Sequence, residues 1–392
     1  GGTPVLPQTR AQITALKNRY KFFHYWLEFP EIFFDDDGKV SKQAGFDVVL
    51  GNPPWELLEN DYAAIANERD LNLSKNWLKN NHYSILNGRR DLYKAFIIQA
   101  VTLVSLNGLL GFVVPVGVFL EEDSGDIRQK LFNDGSLPEI KHFQNHKKSF
   151  FKNVHASYRF TIFTYTRLIK NDTNFSTTIK SPDQISKVKW ITIKRENLAT
   201  YFGPSFSAAL YPDEMYYEVH EAIMQRLKQM PQLNYKVVAE FHASSDKDMF
   251  IDNSTRSKED WFYLNNRSIH QFNHQFAEAE KSLPLSAVQE KCIQKGLNPR
   301  IWLNDGYRLL FRDIARNDDT RTLICCLAPS GYVSSYDTPM IVPEVAGNLI
   351  KPSLAYVCGL LNSFAFDFLI RPFVDKHIKG YVLKRLPIPS YT

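Results

Sequence analysis

In this 392-residue chain, the residues whose types and spacing suit chemistry on a planar amine are Asn52-Pro53-Pro54-Trp55. They follow Phe46-Asp47-Val48-Val49-Leu50-Gly51, a short apolar run that predicts a buried strand ending in a rigid loop. Such a loop lies at the carboxyl edge of a parallel sheet, where α/β proteins bind ligands. Two prolines stiffen it, so the Asn52 side-chain carbonyl and the Pro53 carbonyl are held in place with little entropy to lose. Two converging acceptors suit an exocyclic amine, which offers two N–H donors, and they bias its nitrogen toward a nucleophilic tetrahedral form. Trp55 offers a face to a planar base, and a base in a duplex reaches such a pocket only by flipping out. The plainer reading is a proline-stiffened turn with Trp55 as a packing residue.

The elements that must position this loop are read from periodicity and punctuation. A polar lead-in becomes helical from about Gln12, and an aromatic stretch over 22–29 ends at Pro30, which stops any helix. Residues 56–90 are polar and Asn-rich and predict an irregular or helical excursion. Asp91 reads as the N-cap of an amphipathic helix running to about Ser105, with Asn107-Gly108 as its stop. Leu109 to Val116 reads as a second buried strand, followed by a helix near Ile127–Phe132 and strands at Ile140–Phe143 and Ser157–Thr166. The expected fold class is α/β, a partial Rossmann-like, mainly parallel sheet followed by an α+β domain. Ile169 to Asn174 reads as a polar linker, Asp213–Gln229 as a helix, and 380–389 as a strand-like run closed by prolines. The expected organisation is a helical lead-in over 1–45, the sheet over 46–170 and the second domain over 171–392.

Composition narrows the function classes only modestly. A net charge of +5 is compatible with a polyanionic partner. The 14% aromatic share either fills cores or supplies faces for stacking bases. Cys292, Cys325, Cys326 and Cys358 form no CxxC pair and have no His at ligand spacing, so reduced core residues are expected, without disulfide or metal site. No run approaches the ~18 apolar residues of a membrane span. A cytoplasmic, prokaryotic protein with no membrane partner is expected.

The segment 46–55 resembles motif IV of the amino-methyltransferases that act on DNA adenine. Asp91-Leu92-Tyr93-Lys94-Ala95-Phe96 is similar to their motif V, Gly108 to Pro115 to motif VI, and Ile127, Arg128 and Leu131 to motif VII. His146 to Phe151 with Tyr158-Arg159-Phe160 resembles motif VIII. The stretch Phe23 to Phe33, the segment Ser268 to His274, and Tyr307 to Arg316 are similar to the large type IIG restriction–modification and phage-defence methylases. The resemblance implies that Asn52 and Pro53 accept from the target amine, that Trp55 stacks on the base, and that Phe151, or else Phe150, covers its other face. It also implies S-adenosylmethionine as methyl donor, with Asp91 and Tyr93 beside its pocket, double-stranded DNA as partner, and further subunits or domains of a restriction or defence system.

The sequence contains no Gly-x-Gly turn to hold that donor. The chain is therefore expected to be a fragment of a larger enzyme, inactive alone and with an exposed apolar sheet edge. Pro182-Asp183 and Pro343-Glu344 lack a following Glu-x-Lys, so magnesium is expected only if a nuclease lies outside this chain. Arg312, Arg316, Arg321, Lys379 and Lys384 are candidate DNA contacts, against internal ion pairs or a solvated face. His270, Gln271 and His274 suggest a binding surface or, more plainly, turn and core roles. The competing functions are a DNA-recognition module with a vestigial pocket, and a methylase of glutamine or cytosine amines; the resemblance of the second domain argues against glutamine.

Overall fold

A computed structural model of the chain describes residues 6–21, 23–56, 91–169, 172–196, 198, 206–207, 209–297, 306–343 and 351–390. The expected excursion over 56–90 lies, from 57 onward, outside the described residues. Helix α1 (Pro7–Tyr20) begins earlier than Gln12, with Pro7 at a first-turn position where a missing N–H costs nothing. Pro30 likewise starts a helix rather than stopping one: α2 (Tyr25–Glu28) gives way to α3 (Pro30–Phe33). Their aromatic rings bind the lead-in to the first strand. Trp26 stacks on Phe33 at 4.9 Å, and Phe33 meets Phe46 edge-on at 5.5 Å.

Strand β1 (Phe46–Gly51) lies parallel to β2 (Val104–Pro115) at the end of its sheet, and is not the buried strand its apolar run predicts: Val48 is 58% and Leu50 77% exposed. Between them in sequence, α4 (Leu92–Leu103) passes into β2 with no loop, because Val104 already has extended φ and ψ. Asn107-Gly108 therefore sits inside the strand and does not end the helix. Gly108 is required there for a different reason. A Cβ would stand 2.6 Å from the Phe46 carbonyl oxygen, next to the slip in register between Phe46 and Val48.

After β2 come α5 (Gly117–Leu120), α6 (Gly125–Asn133), β3 (Ser136–Gln144) and β4 (Arg159–Thr166). Two more strands, β5 (Asp172–Ser176) and β6 (Trp190–Lys194), complete a sheet of order β1-β2-β4-β3-β5-β6. The expectation of a mainly parallel sheet is corrected. Only β1–β2 and β3–β5 run parallel, whereas β4 is antiparallel to both its neighbours and β6 to β5. The physical reason is the connection: β3 returns as β4 through one loop with no crossover helix, which permits only antiparallel pairing. Their apolar runs reported burial on two faces, a property either pairing satisfies. The polar run at 169–174 leads into β5 of this same sheet, so its composition is that of a strand near the sheet's edge.

The remaining residues form α7 (Glu214–Lys228), capped by the Asp213 carboxylate on the Tyr216 N–H, and two four-stranded sheets. One contains β8 (Ile251–Asp252), β9 (Trp261–Leu264), β10 (Lys281–Leu283) and β13 (Tyr332–Ser334). The other contains β7 (Tyr235–Val238), β11 (Arg308–Phe311), β12 (Cys325–Ala328) and β14 (Met340–Pro343). Helices α8 (Leu285–Gln294), α9 (Lys351–Leu361), α10 (Phe364–Ile370) and α11 (Gly380–Leu383) pack around them. The strand expected over 380–389 is thus a short helix. Only Pro389 makes an isolated bridge, to Gln232.

One buried apolar cluster runs from Tyr93, Phe119 and Leu131 through Tyr211 and Met224 to Phe311, Leu369 and Ile388, joining the first sheet to the elements after it. The four cysteines are buried and unpaired. No single described helix is long and apolar enough to cross a membrane.

Candidate active site

The sheet topology brings three loops to one edge. Strands β1, β2 and β3 all point the same way, and β4 points back. The carboxyl ends of the first three and the start of the fourth therefore share an edge. Asn52-Pro53-Pro54-Trp55 leaves β1 there, Val116 to Leu120 leaves β2, and residues 145–158 join β3 to β4.

Asn52 is exposed and Pro53 buried, so the loop is anchored through its proline while the carboxamide stands open. Trp55 is half-buried, and its Nε1 donates to the Val113 carbonyl of β2 at 3.4 Å. Its ring meets Phe151 edge-on at 6.1 Å and Phe160 at 6.4 Å. Phe151 is thus the ring next to Trp55. Phe150 instead packs on Phe143 and Phe160, at 5.4 and 5.6 Å.

The residue that shapes this aromatic loop is Asn145, which the sequence reading missed. Its carboxamide is fully buried. Oδ1 accepts from the backbone N–H groups of Phe150 and Phe151 at 3.1 and 2.9 Å. Nδ2 donates to the carbonyls of Phe151 and Val154 at 2.9 and 3.0 Å. Lys147 and Lys148 take left-handed φ values of 52° and 59°, and this bends the chain tightly enough for both phenylalanines to face inward. The available sequence signal was an Asn at a strand end ahead of paired aromatics.

Asp91 and Tyr93 stand near the same edge, where the Leu92 N–H donates to the Glu56 carbonyl at 2.9 Å. Asp91 occupies the N-cap position of α4, yet its side chain caps nothing. Its Oδ2 accepts from the Tyr93 hydroxyl at 3.1 Å and lies 3.5 Å from Lys94 Nζ. Lys94, wholly buried, also pairs with Asp123 at 3.0 Å. Burial, reinforced by the Asp91 charge, holds the Tyr93 phenol well above its usual range, so it stays protonated and donating. These two polar groups are engaged with each other and with Lys94. No Gly-x-Gly turn occurs in the sequence beside them.

The candidate DNA contacts divide by exposure. Arg312 donates to the Ile269 carbonyl at 2.8 Å. Arg321 donates to the carbonyls of Asn362 and Ser363 and lies over the Phe364 ring at 4.7 Å. Both work inside the fold. Arg316 and Lys384 are exposed. Lys379 and His377 both reach the buried Asp313 carboxylate at 2.8 Å, an ion pair that fastens the basic segment to the Arg312–Arg316 turn. His270 packs on Phe276 and His274 on Tyr332, each at 4.7 Å, and Gln271 lies against Asn362. Among the described residues, no group of three or more His, Cys, Asp or Glu side chains could hold a metal ion.

The Asn52–Trp55 and Val116–Leu120 loops, and the start of the 145–158 loop, fall within one stretch that matches a known family. Residues 5–150 match the Eco57I restriction-modification methylase family. The matched stretch runs from α1 to the start of the aromatic loop. Over 123 residues the chain is 26% identical to a protein of Methanocaldococcus jannaschii described as a type II restriction enzyme and methyltransferase. That match covers 31% of this chain and 8% of the relative, so the chain corresponds to a small part of it.

Solved structures similar to this chain include the type IIL restriction-modification enzyme MmeI in complex with DNA, at 11% identity and a TM-score of 0.48, covering 93% of this chain and 50% of that one. The type IIG restriction endonuclease BpuSI is similar at 13% identity and a TM-score of 0.37, covering 88% and 47%. A type I methyltransferase subunit from Streptococcus thermophilus is similar at 16% identity and a TM-score of 0.30, covering 44% and 39%.

Proposed function

We propose that this chain carries the base-accepting part of a site-specific DNA adenine methyltransferase from a type IIG restriction–modification or phage-defence system, with residues beyond the first sheet reading the DNA. The observation that supports this reading is the meeting of Asn52-Pro53-Pro54-Trp55 with the Phe151 loop at one sheet edge, Trp55 and Phe151 lying 6.1 Å apart. A flipped adenine would present its N6 amine to the Asn52 and Pro53 carbonyls and its ring to Trp55, with Phe151 adjacent. S-adenosylmethionine supplies an electrophilic methyl group in such a reaction. The Gly-rich turn that would hold it has no counterpart in this sequence, so another polypeptide segment is expected to supply it. Arg316 and Lys384, both exposed, would meet the phosphate backbone, with Lys379 held by Asp313.

The test is to produce the full-length protein in a host lacking DNA methylation and to map modified bases by sequencing. N6-methyladenine at one recurring sequence is expected, and Asn52→Ala should abolish it. Methylation that survives this substitution, or that falls on cytosine, would refute the assignment. A non-catalytic recognition module is the second reading, favoured by the internally engaged Asp91 and Tyr93. It predicts sequence-specific binding with no modified base in any setting.

A further inference from the structure

A cleft of about 520 Å³ opens in the second half of the chain, between the β9–β10 strands and the Arg312–Arg316 turn. One wall is aromatic. The His242 and Tyr336 rings lie 4.9 Å apart, Tyr336 is 54% exposed, and Lys379 Nζ stands 4.8 Å from the Tyr336 ring centre. The opposite wall carries Asn265, Asn266 and Arg267 from the turn after β9, with Glu280 and Lys281 beside them.

Three observations bear on what this cleft takes. Its polar groups are mixed: Arg267 and Lys281 donate, while Glu280 and Asp337 accept. A site for phosphate alone would be cationic throughout, whereas base edges present donors and acceptors side by side. Second, Asn266 Nδ2 reaches toward the Ile314 carbonyl at 3.5 Å, which leaves Oδ1 buried with no partner. A buried acceptor without a donor is costly, and a ligand N–H would satisfy it. Third, contacts run continuously from the candidate active site to the cleft. Asn145, which holds the Phe151 loop, donates its backbone N–H to the Tyr158 carbonyl at 2.8 Å. Lys376 Nζ lies 5.3 Å from the Tyr158 ring centre, the Ala315 N–H donates to the Lys376 carbonyl, and Ile314 both bridges His377 and lines the cleft.

We propose that this cleft reads a base of the duplex flanking the target, with Asn266 Oδ1 accepting from the exocyclic amine of an adenine or cytosine in the major groove and Arg267 contacting the adjoining base or phosphate. The inference rests on the DNA-reading role proposed above and adds the place and the base class. It is tested by selecting sequences from a pool of randomised duplexes with the 392-residue chain, then measuring the enriched duplex by fluorescence anisotropy. The parent should enrich a sequence in which one position is adenine or cytosine. Asn266→Ala should relax that position and weaken binding by roughly five- to tenfold. Arg267→Ala, at an exposed site where folding is not at stake, should weaken binding by a similar factor.

Unchanged enrichment and affinity in both variants would overturn the cleft assignment while leaving the DNA-reading role in place. Uniform weakening with no change in the enriched sequence would also overturn it, by reducing the cleft to a phosphate contact. A parent chain that binds no duplex would sink both readings together.

Discussion

At the scale of single residues, Asn145 shows how one buried carboxamide sets the geometry of a candidate base pocket. All of its hydrogen-bonding capacity toward the Phe150–Val154 loop is used, two bonds accepted and two donated. Asn145→Ala would leave buried backbone groups unpaired, at a cost of about 1–3 kcal/mol. The expected readout is a lower urea midpoint with a change in Trp55 environment, because Phe151 would no longer be held beside it. An unchanged midpoint would show that the loop holds its shape by ring packing alone. Asn52, by contrast, is exposed, so Asn52→Ala should leave the urea midpoint within about 0.5 kcal/mol of the parent while removing methylation in the full-length protein. The two residues differ in legibility for the same reason. Asn52 sits in a proline-stiffened run visible in the sequence, whereas the partners of Asn145 are revealed only once the loop is folded.

At the scale of elements, the two four-stranded sheets are joined through a buried ion pair. Arg308 of β11 donates to both Glu240 oxygens, from Nη2 at 2.8 Å and Nε at 3.0 Å, and its guanidinium lies 4.8 Å from the Trp261 ring centre of β9. Glu240 Oε2 also accepts from the Ser334 N–H of β13 at 2.7 Å. Neither side chain is more than 1% exposed. Glu240→Ala strands a buried guanidinium and should destabilise the fold by about 3–5 kcal/mol. The double variant Glu240→Leu with Arg308→Met should recover much of that loss in the same denaturation assay. If the single and double variants lose stability equally, the pairing is not what matters. Strands and helices such as β1, α6 and α7 were readable in advance from periodicity. This pair was not, because nothing local connects positions 240 and 308.

At the scale of the whole molecule, two buried histidines link stability to pH. His220 Nε2 lies 2.9 Å from the Leu369 carbonyl and Nδ1 lies 3.3 Å from the Tyr211 hydroxyl, a set that suits the neutral ring. Burial lowers its pKa to about 4, and burial together with the Arg159 charge lowers that of His142 to about 3. Both folded-state values lie below the unfolded value near 6.5, so below that pH the unfolded chain binds protons that the folded chain does not. Stability is therefore full above pH 6.5 and falls as the pH drops toward 4 and then 3. For His220 alone the loss is on the order of 3 kcal/mol across that window. A melting temperature that declines steadily from pH 7 to pH 4, with a shallower decline in His220→Gln, is the expected outcome; identical pH profiles for parent and variant would rule His220 out. S-adenosylmethionine titrated into this chain is expected to give no heat beyond dilution, and tight binding would show that a donor site forms without a Gly-x-Gly turn.

Local chemistry was legible without coordinates: the strand before Asn52-Pro53-Pro54-Trp55, though not its exposure, the helix after Asp91, and the burial of the four cysteines. Those depend on residue type and short-range spacing, which a one-dimensional string records. Tertiary structure decided the rest. It set β4 antiparallel because a single loop, not a helix, returns the chain. It drew β5 and β6 into the first sheet because a polar strand such as β5 looks like a linker until it pairs. It took Asp91 away from its expected cap and gave it to Tyr93 and Lys94, because a buried lysine needs a carboxylate more than a helix end does. It also opened the cleft at Asn266, whose walls come from segments separated by up to about a hundred residues and meet only when two sheets pack.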